Sequence, residues 1–477
     1  MDPLLERGLI ISRRLLTQAR AELRALDEQP DPELARLEKA FARIDRGGLR
    51  ITPSELNAKA MDSKIIACGD FSTCPHPRRF LCNLLEEIPP CIVALPAPLA
   101  QWQARFDTFL DGHEDPEGLA KETDLAALVP PYAIPHWLAL FSAIRTFGHR
   151  TVLFEKSAHE PLAQRNKDAL NQLVVTYREA GPDERLIILA GELRCAAGGL
   201  LPELKKTVGT NRATLVLFDL AQPYLTDISC GGDGQGIYAI GRRRFAVCEQ
   251  SPLARLQSYL AWYAHDEVPS SGLELAETFS RAAQQIRDAF GLPESSLALP
   301  LIINPGDPRI FQLAIAASAL SSDEMEHLEA CILAGDSRYL PEHNLVYIGN
   351  MALSHVSEEA SHFVRATLGG PRRAETGEDA FWSIALHELV GYLGSKVIVP
   401  DRRPPTVDAT SDLTPEELAH LYGYNLGERM WTRFCQSPEL VIHISHLFSA
   451  DLHGPGQAKA LYFRSLDMVA GPTSEGD

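Results

Sequence analysis

Five short runs of β-branched and apolar residues constrain this chain more than anything else in it: KIIACG (64–69), CIVAL (91–95), TVLFE (151–155), RLIILAG (185–191) and ATLVLF (213–218). Each is long enough for one buried strand, and more than a dozen residues, helical in pattern, separate one run from the next. Connections of that length rule out simple hairpins and imply parallel pairing, with crossover helices covering both faces of the sheet. The segment GIYAIGRRRFAVCE (236–249) reads as a hairpin closing that sheet, with Gly241 carrying the turn. Ahead of the first run, residues 4–46 place Leu15, Ala19, Leu23 and Leu26 at three- and four-residue steps among Arg and Glu, an amphipathic arm that would pack on the body or on a partner.

The polar stretch HDEVPSSGLE after the helix near 251–264 reads as a linker, and beyond it the pattern is mainly helical. Helices are expected over 271–290, 322–334, 350–368, 379–396, 414–436 and 456–470, with short strands in LALPLIIN and NLVYIG and a frayed GPTSEGD tail. The expected architecture is therefore α/β: a mainly parallel sheet flanked by helices, with an N-terminal helical arm (1–58), an α/β domain (59–265) and a mostly α-helical C-terminal domain (266–477). Lys and Arg number 45 against 63 Asp and Glu, a formal charge of −18 that repels phosphate backbones and anionic headgroups, so nucleic acid is not an expected partner. Nine scattered cysteines without paired CxxC spacing fit a reducing cytosol, and no apolar stretch is long enough to span a membrane.

Two loops at the carboxyl ends of expected strands carry polar candidates. GDFSTCPHPRRF (69–80) offers Asp70, Ser72 and Arg78 where a loop opens a helix, and GELRCAAGGLLPEL (191–204) offers Glu192 and Arg194. In an open parallel sheet that edge is where ligands sit. The order of GDFSTCPHPRRFLCNLL, CIVAL, LAQRNKDAL (162–170), LIILAGELRCAAGGLLPEL and IYAIGRRRFAVCEQSPLARLQSYLAWY (237–263) resembles the ChaN-like proteins of the haem-binding-uptake, Tiki and erythromycin-esterase superfamily. The resemblance runs over roughly residues 10–400 and is nearest to the longer bacterial ChaN family lipoproteins, although this sequence has no lipobox cysteine near its start.

What the resemblance implies is altered at four positions. Ser72 and Arg194 stand where that family usually has histidines, Pro96 where an acid commonly ends the second strand, and Asn166 where an aspartate often follows the central arginine. A hydroxyl, a guanidinium that stays charged and a proline cannot ligate a metal or move a proton as imidazole and carboxylate do. The expectation is a catalytically degenerate ChaN-like protein, a binding or scaffold protein located in the cytoplasm, with Asp70, Ser72, Arg78, Glu192 and Arg194 as ligand-binding candidates. No cofactor is expected, haem or a divalent metal being the open alternatives; the expected partner is a second copy or another protein.

The rival reading is a metal-dependent hydrolase with its site reassembled in the old pocket or relocated to the C-terminal helices. The pair His387–Glu388 in ALHELVGYLGSK suggests a zincin helix, but Gly391 occupies the position where HExxH requires imidazole. Glu-x-x-His spacing, which sets carboxylate and imidazole on one helix face, occurs at Glu324/His327, Glu359/His362 and Glu417/His420. Glu359, His362, His387 and Glu388 are accordingly the metal candidates, with solvated faces and helix-end charges as the plain alternative. A ferric site using Tyr392, Tyr422 and Tyr424 with His387 is weighed against the ordinary use of such tyrosines as core residues with a polar tip.

Overall fold

The computed structural model describes residues 2–26, 31–157, 159–196, 198–265, 268–269, 274–294, 298–317, 320–369, 378–404, 413–452 and 454–470. Most of the expected linker and all of the GPTSEGD tail lie outside the described residues. The chain divides into two compact units, Met1–His265 and Asp266–Asp477.

The first unit is built on an eight-stranded sheet. Its strands are β1 (Leu49–Ile51), β2 (Ile65–Asp70), β3 (Ile92–Leu95), β4 (Arg150–Leu153), β5 (Leu186–Gly191), β6 (Ala213–Phe218), β7 (Gly236–Gly241) and β8 (Arg244–Cys248). They lie in the order β1-β7-β8-β6-β2-β5-β3-β4. The six strands from β8 to β4 in that order are mutually parallel, as long crossovers require. Residues on both faces of β2, β3 and β6 are buried, which explains why these strands read as continuous apolar runs instead of alternating ones.

Two details differ from the sequence reading. The β7–β8 hairpin turns at Arg242–Arg243, and Gly241 ends β7 beside a register irregularity. The hairpin does not close the sheet, because β1 adds antiparallel to β7 from within what reads as the helical arm. Three residues are too few to show alternation. The arm itself, helix Pro3–Ala25, buries Leu5, Leu9, Leu15, Leu16 and Ala19 and packs on helix Pro252–His265, so its apolar face is used within the first unit.

In the second unit, helix Glu378–Ile398 packs between helix Leu353–Gly369 and helix Pro415–Gln436, with Leu275–Phe290 against the first of these. A small mixed sheet of β9 (Leu301–Ile303), β10 (Arg338–Leu340) and β11 (Leu345–Tyr347) lies in the order β10-β11-β9. Helices Ile310–Ala317 and Val441–Ser449, short and without strong periodicity, escape the sequence reading. The central helices approach closely because they meet at glycines. A Cβ on Gly423 would lie 2.5 Å from the Ala385 carbonyl oxygen and 2.6 Å from the Glu388 Cβ.

Candidate functional site

At the carboxyl ends of the parallel strands the chain places four acids: Asp70 ends β2, Glu155 follows β4, Glu192 follows β5 and Asp219 follows β6. Each has its own basic partner. Arg78, 1 % exposed, reaches both carboxylate oxygens of Asp70 at 2.7 and 2.9 Å, and also donates to the carbonyls of Ser72 and Cys74. Arg255 donates to Glu192 at 2.6 Å and to the Phe218 carbonyl at 2.9 Å. Glu155 lies between two guanidinium groups, Arg194 at 2.5 Å and Arg165 at 2.8 Å, while Asn166 Oδ1 accepts from Arg194 Nε at 2.8 Å. His76 Nδ1 lies 2.9 Å from Asp219 Oδ2, both side chains fully buried.

These contacts explain the residue types. A carbonyl at Asn166 suits a guanidinium neighbour, and Arg194 can only donate, so the two side chains satisfy each other. Asp219 holds a backbone φ of 49°, in the left-handed region that a non-glycine residue adopts only when its surroundings fix it. Its Oδ1 accepts from the backbone N–H groups of Glu249 and Gln250. Burial works to raise the Asp219 pKa, but His76 and the backbone donors outweigh it and hold the acid below its usual range. For Asp70 and Glu192 burial wins, and both sit above the usual carboxylate range despite Arg78 and Arg255. Buried ion pairs of this kind are costly to break by removing one member.

Of the candidates at this edge, the structure brings together Asp70, Arg78 and the Ser72 backbone, whereas Glu192 and Arg194 take different partners, Arg255 and Glu155. Sequence reasoning missed Glu155, Asp219, His76 and Arg255. Glu155 and Asp219 carry a usable signal, an acid placed directly after a buried apolar run; of their partners, Arg165 is ten positions from Glu155, whereas Arg194 and His76 lie 39 and 143 positions away and show none.

The second cluster lies on the central helices of the second unit. Among the described residues, one group of His, Cys, Asp and Glu side chains brings three ligand atoms within 4.8 Å of one another: Glu358, His362 and Glu388. The expected Glu359 is not in this group. One residue along a helix is a rotation of about 100°, and the Glu359 carboxylate instead accepts from the Tyr339 backbone, while Glu358 points with His362 toward Glu388. His387 lies against the group, its ring stacked on His362 with centroids 3.6 Å apart and planes 8° from parallel.

Every carboxylate of the group is oriented by a neighbour. Glu358 Oε2 accepts from Arg402 at 2.8 Å, Glu358 Oε1 accepts from the Tyr424 hydroxyl, and His420 Nδ1 lies 3.0 Å from Glu388 Oε2. Burial alone would raise the Glu358 pKa, but Arg402, with His355 and His362, holds it well below the usual range. Burial pushes His362 down, which favours the neutral imidazole. For His420 burial acts downward too, and the Glu388 carboxylate reverses it.

The other two Glu-x-x-His pairs have plain roles at helix starts. Glu324 completes a capping box with Ser321, and Glu417 completes one with Thr414. Tyr392 donates to Glu428 at 2.7 Å and to the Arg402 carbonyl at 3.1 Å, and Lys396 serves the same carboxylate and carbonyl. Burial pushes the Tyr392 and Tyr424 hydroxyls well above their ordinary pKa, and both are hydrogen-bonded to carboxylates, Tyr392 to Glu428 and Tyr424 to Glu358, as core tyrosines with a polar tip are.

No family model matches this chain, and neither does any curated protein. Among solved structures, one described as cofacial haem binding to ChaN of Campylobacter jejuni overlaps 35 % of this chain and 86 % of its own, at 9 % identity and a TM-score of 0.28. That correspondence is too loose to transfer a ligand or a residue's role. No described helix is long and apolar enough to cross a membrane.

Proposed function

We propose that the α/β unit is a catalytically silent binding or scaffold module. The observation that carries this reading is the pairing of Arg194 with Glu155 and Asn166, which sets a permanent cation where an ion-gripping imidazole would have to stand. The three other acids of the edge are engaged in the same manner, and among the described residues no metal-capable group forms there. The carboxylates that metal-assisted hydrolysis would need are each engaged by an internal partner, and His76 keeps one buried ring nitrogen, Nε2, without a hydrogen-bond partner among the described residues.

The reading is tested with the full chain and two conservative variants, Asp70→Asn and Glu192→Gln, by titration with zinc, manganese and haem. Both variants are expected to take up each ligand with the stoichiometry of the parent protein. Loss of one equivalent in either variant, with circular dichroism unchanged, would show that the edge binds after all.

A further inference from the structure

We propose that Glu358, His362 and Glu388 form a binding site for one divalent first-row transition-metal ion of the zinc type. The site lies wholly within the second unit and is independent of the reading given to the sheet edge. Its donor set, two carboxylates and an imidazole, suits zinc, manganese or ferrous iron and is too hard for cuprous copper. Bonds of about 2.0–2.2 Å in a tetrahedral arrangement set donor atoms roughly 3.3 Å apart. The present separations, up to 4.8 Å, therefore close on an ion with side-chain movement of the order of 1 Å. Glu388, with 16 % of its side chain exposed, is the most accessible member.

Three further observations point to a ligand instead of an ordinary ion-pair network. His362 is 4 % exposed, and its Nδ1 is buried with no hydrogen-bond partner among the described residues, an arrangement that costs about 1–3 kcal/mol unless something satisfies it. The carboxylates are already aimed: Arg402 and Tyr424 fix Glu358, and His420 fixes Glu388. Outer hydrogen bonds of this kind characterise metal ligands and tune their affinity.

The third observation is Gly391, four residues after His387, where the zincin pattern needs a histidine. A Cβ there would lie 2.5 Å from His362 Cε1 and 2.8 Å from His362 Nε2. The glycine thus vacates the space that the His362 imidazole, from the neighbouring helix, enters. Three protein ligands leave a coordination position for water, the arrangement of hydrolytic metal centres.

The test uses the full chain, stripped with chelator and titrated with Co(II) and Zn(II), read by visible absorption of the cobalt form and by metal content after buffer exchange. One equivalent of saturable binding is expected. Glu388→Gln and His362→Ala should each weaken it at least tenfold, and Tyr424→Phe, which loses only an orienting bond, by about tenfold. Glu359→Gln should leave affinity within about threefold, because that carboxylate lies outside the group. If His362→Ala fails to fold, the partly exposed Glu388→Gln decides alone. Absence of saturable binding, or Glu388→Gln binding as tightly as the parent, overturns the proposal.

Discussion

Replacing Arg78 by methionine is expected to destabilise the α/β unit by about 3–5 kcal/mol, because the substitution leaves the Asp70 carboxyl buried without its partner. Arg78 is 1 % exposed and supplies two bonds to the carboxylate, beside one from the Phe71 backbone, as well as bonds to the carbonyls of Ser72 and Cys74. Urea unfolding followed by circular dichroism measures the loss. Adding Asp70→Leu in the same chain should recover much of it, since apolar groups of similar volume often replace a buried ion pair at little net cost. That recovery is specific to a structural pair. A double variant less stable than Arg78→Met alone would mean that Asp70 has a partner or role beyond the one described.

The second large effect is expected at Gly423. An alanine there brings its Cβ to 2.5 Å from a backbone oxygen of the neighbouring helix and 2.9 Å from the Leu389 backbone nitrogen, contacts that no side-chain rotation relieves. The helices Glu378–Ile398 and Pro415–Gln436 must then separate. A cost of about 3 kcal/mol, at the upper end of overpacking penalties, corresponds to a fall of roughly 6–12 °C in the melting temperature of a unit of this size. Gly427→Ala provides the contrast. Its nearest neighbour is the Tyr392 ring at 2.8 Å, a side chain that can shift, so calorimetry should record a distinctly smaller loss. Equal losses at the two positions would contradict the packing described.

The parts of the fold legible in the sequence are those in which one physical requirement dominates. Strands β2, β3, β5 and β6 are buried on both faces, so their runs are unmistakable, and the spacing between them dictates parallel pairing. Strand β1 is illegible because three residues pairing at an edge impose almost no pattern. The candidate sites show the same division. Asp70, Glu192 and Arg194 are found by their place at strand ends; Asp70 meets Arg78 only eight positions on, but the partners of Arg194, Glu192 and Asp219 lie 39, 63 and 143 positions away along the chain.

On the helices, Glu358 and Glu359 are adjacent, and both spacings to His362, four and three residues, lie on one helical face. Only the position of the neighbouring helix selects Glu358. Gly391 is the more instructive residue: read along one helix it removes a metal ligand, and read across two helices it makes room for one.

The most direct test of the account is a crystal of the full chain soaked in zinc and measured at the zinc absorption edge. An anomalous peak is expected bounded by Glu358, His362 and Glu388, and none among Asp70, Glu192 and Arg194. A peak at the sheet edge, or an empty helical site with the protein otherwise folded as described, would contradict it.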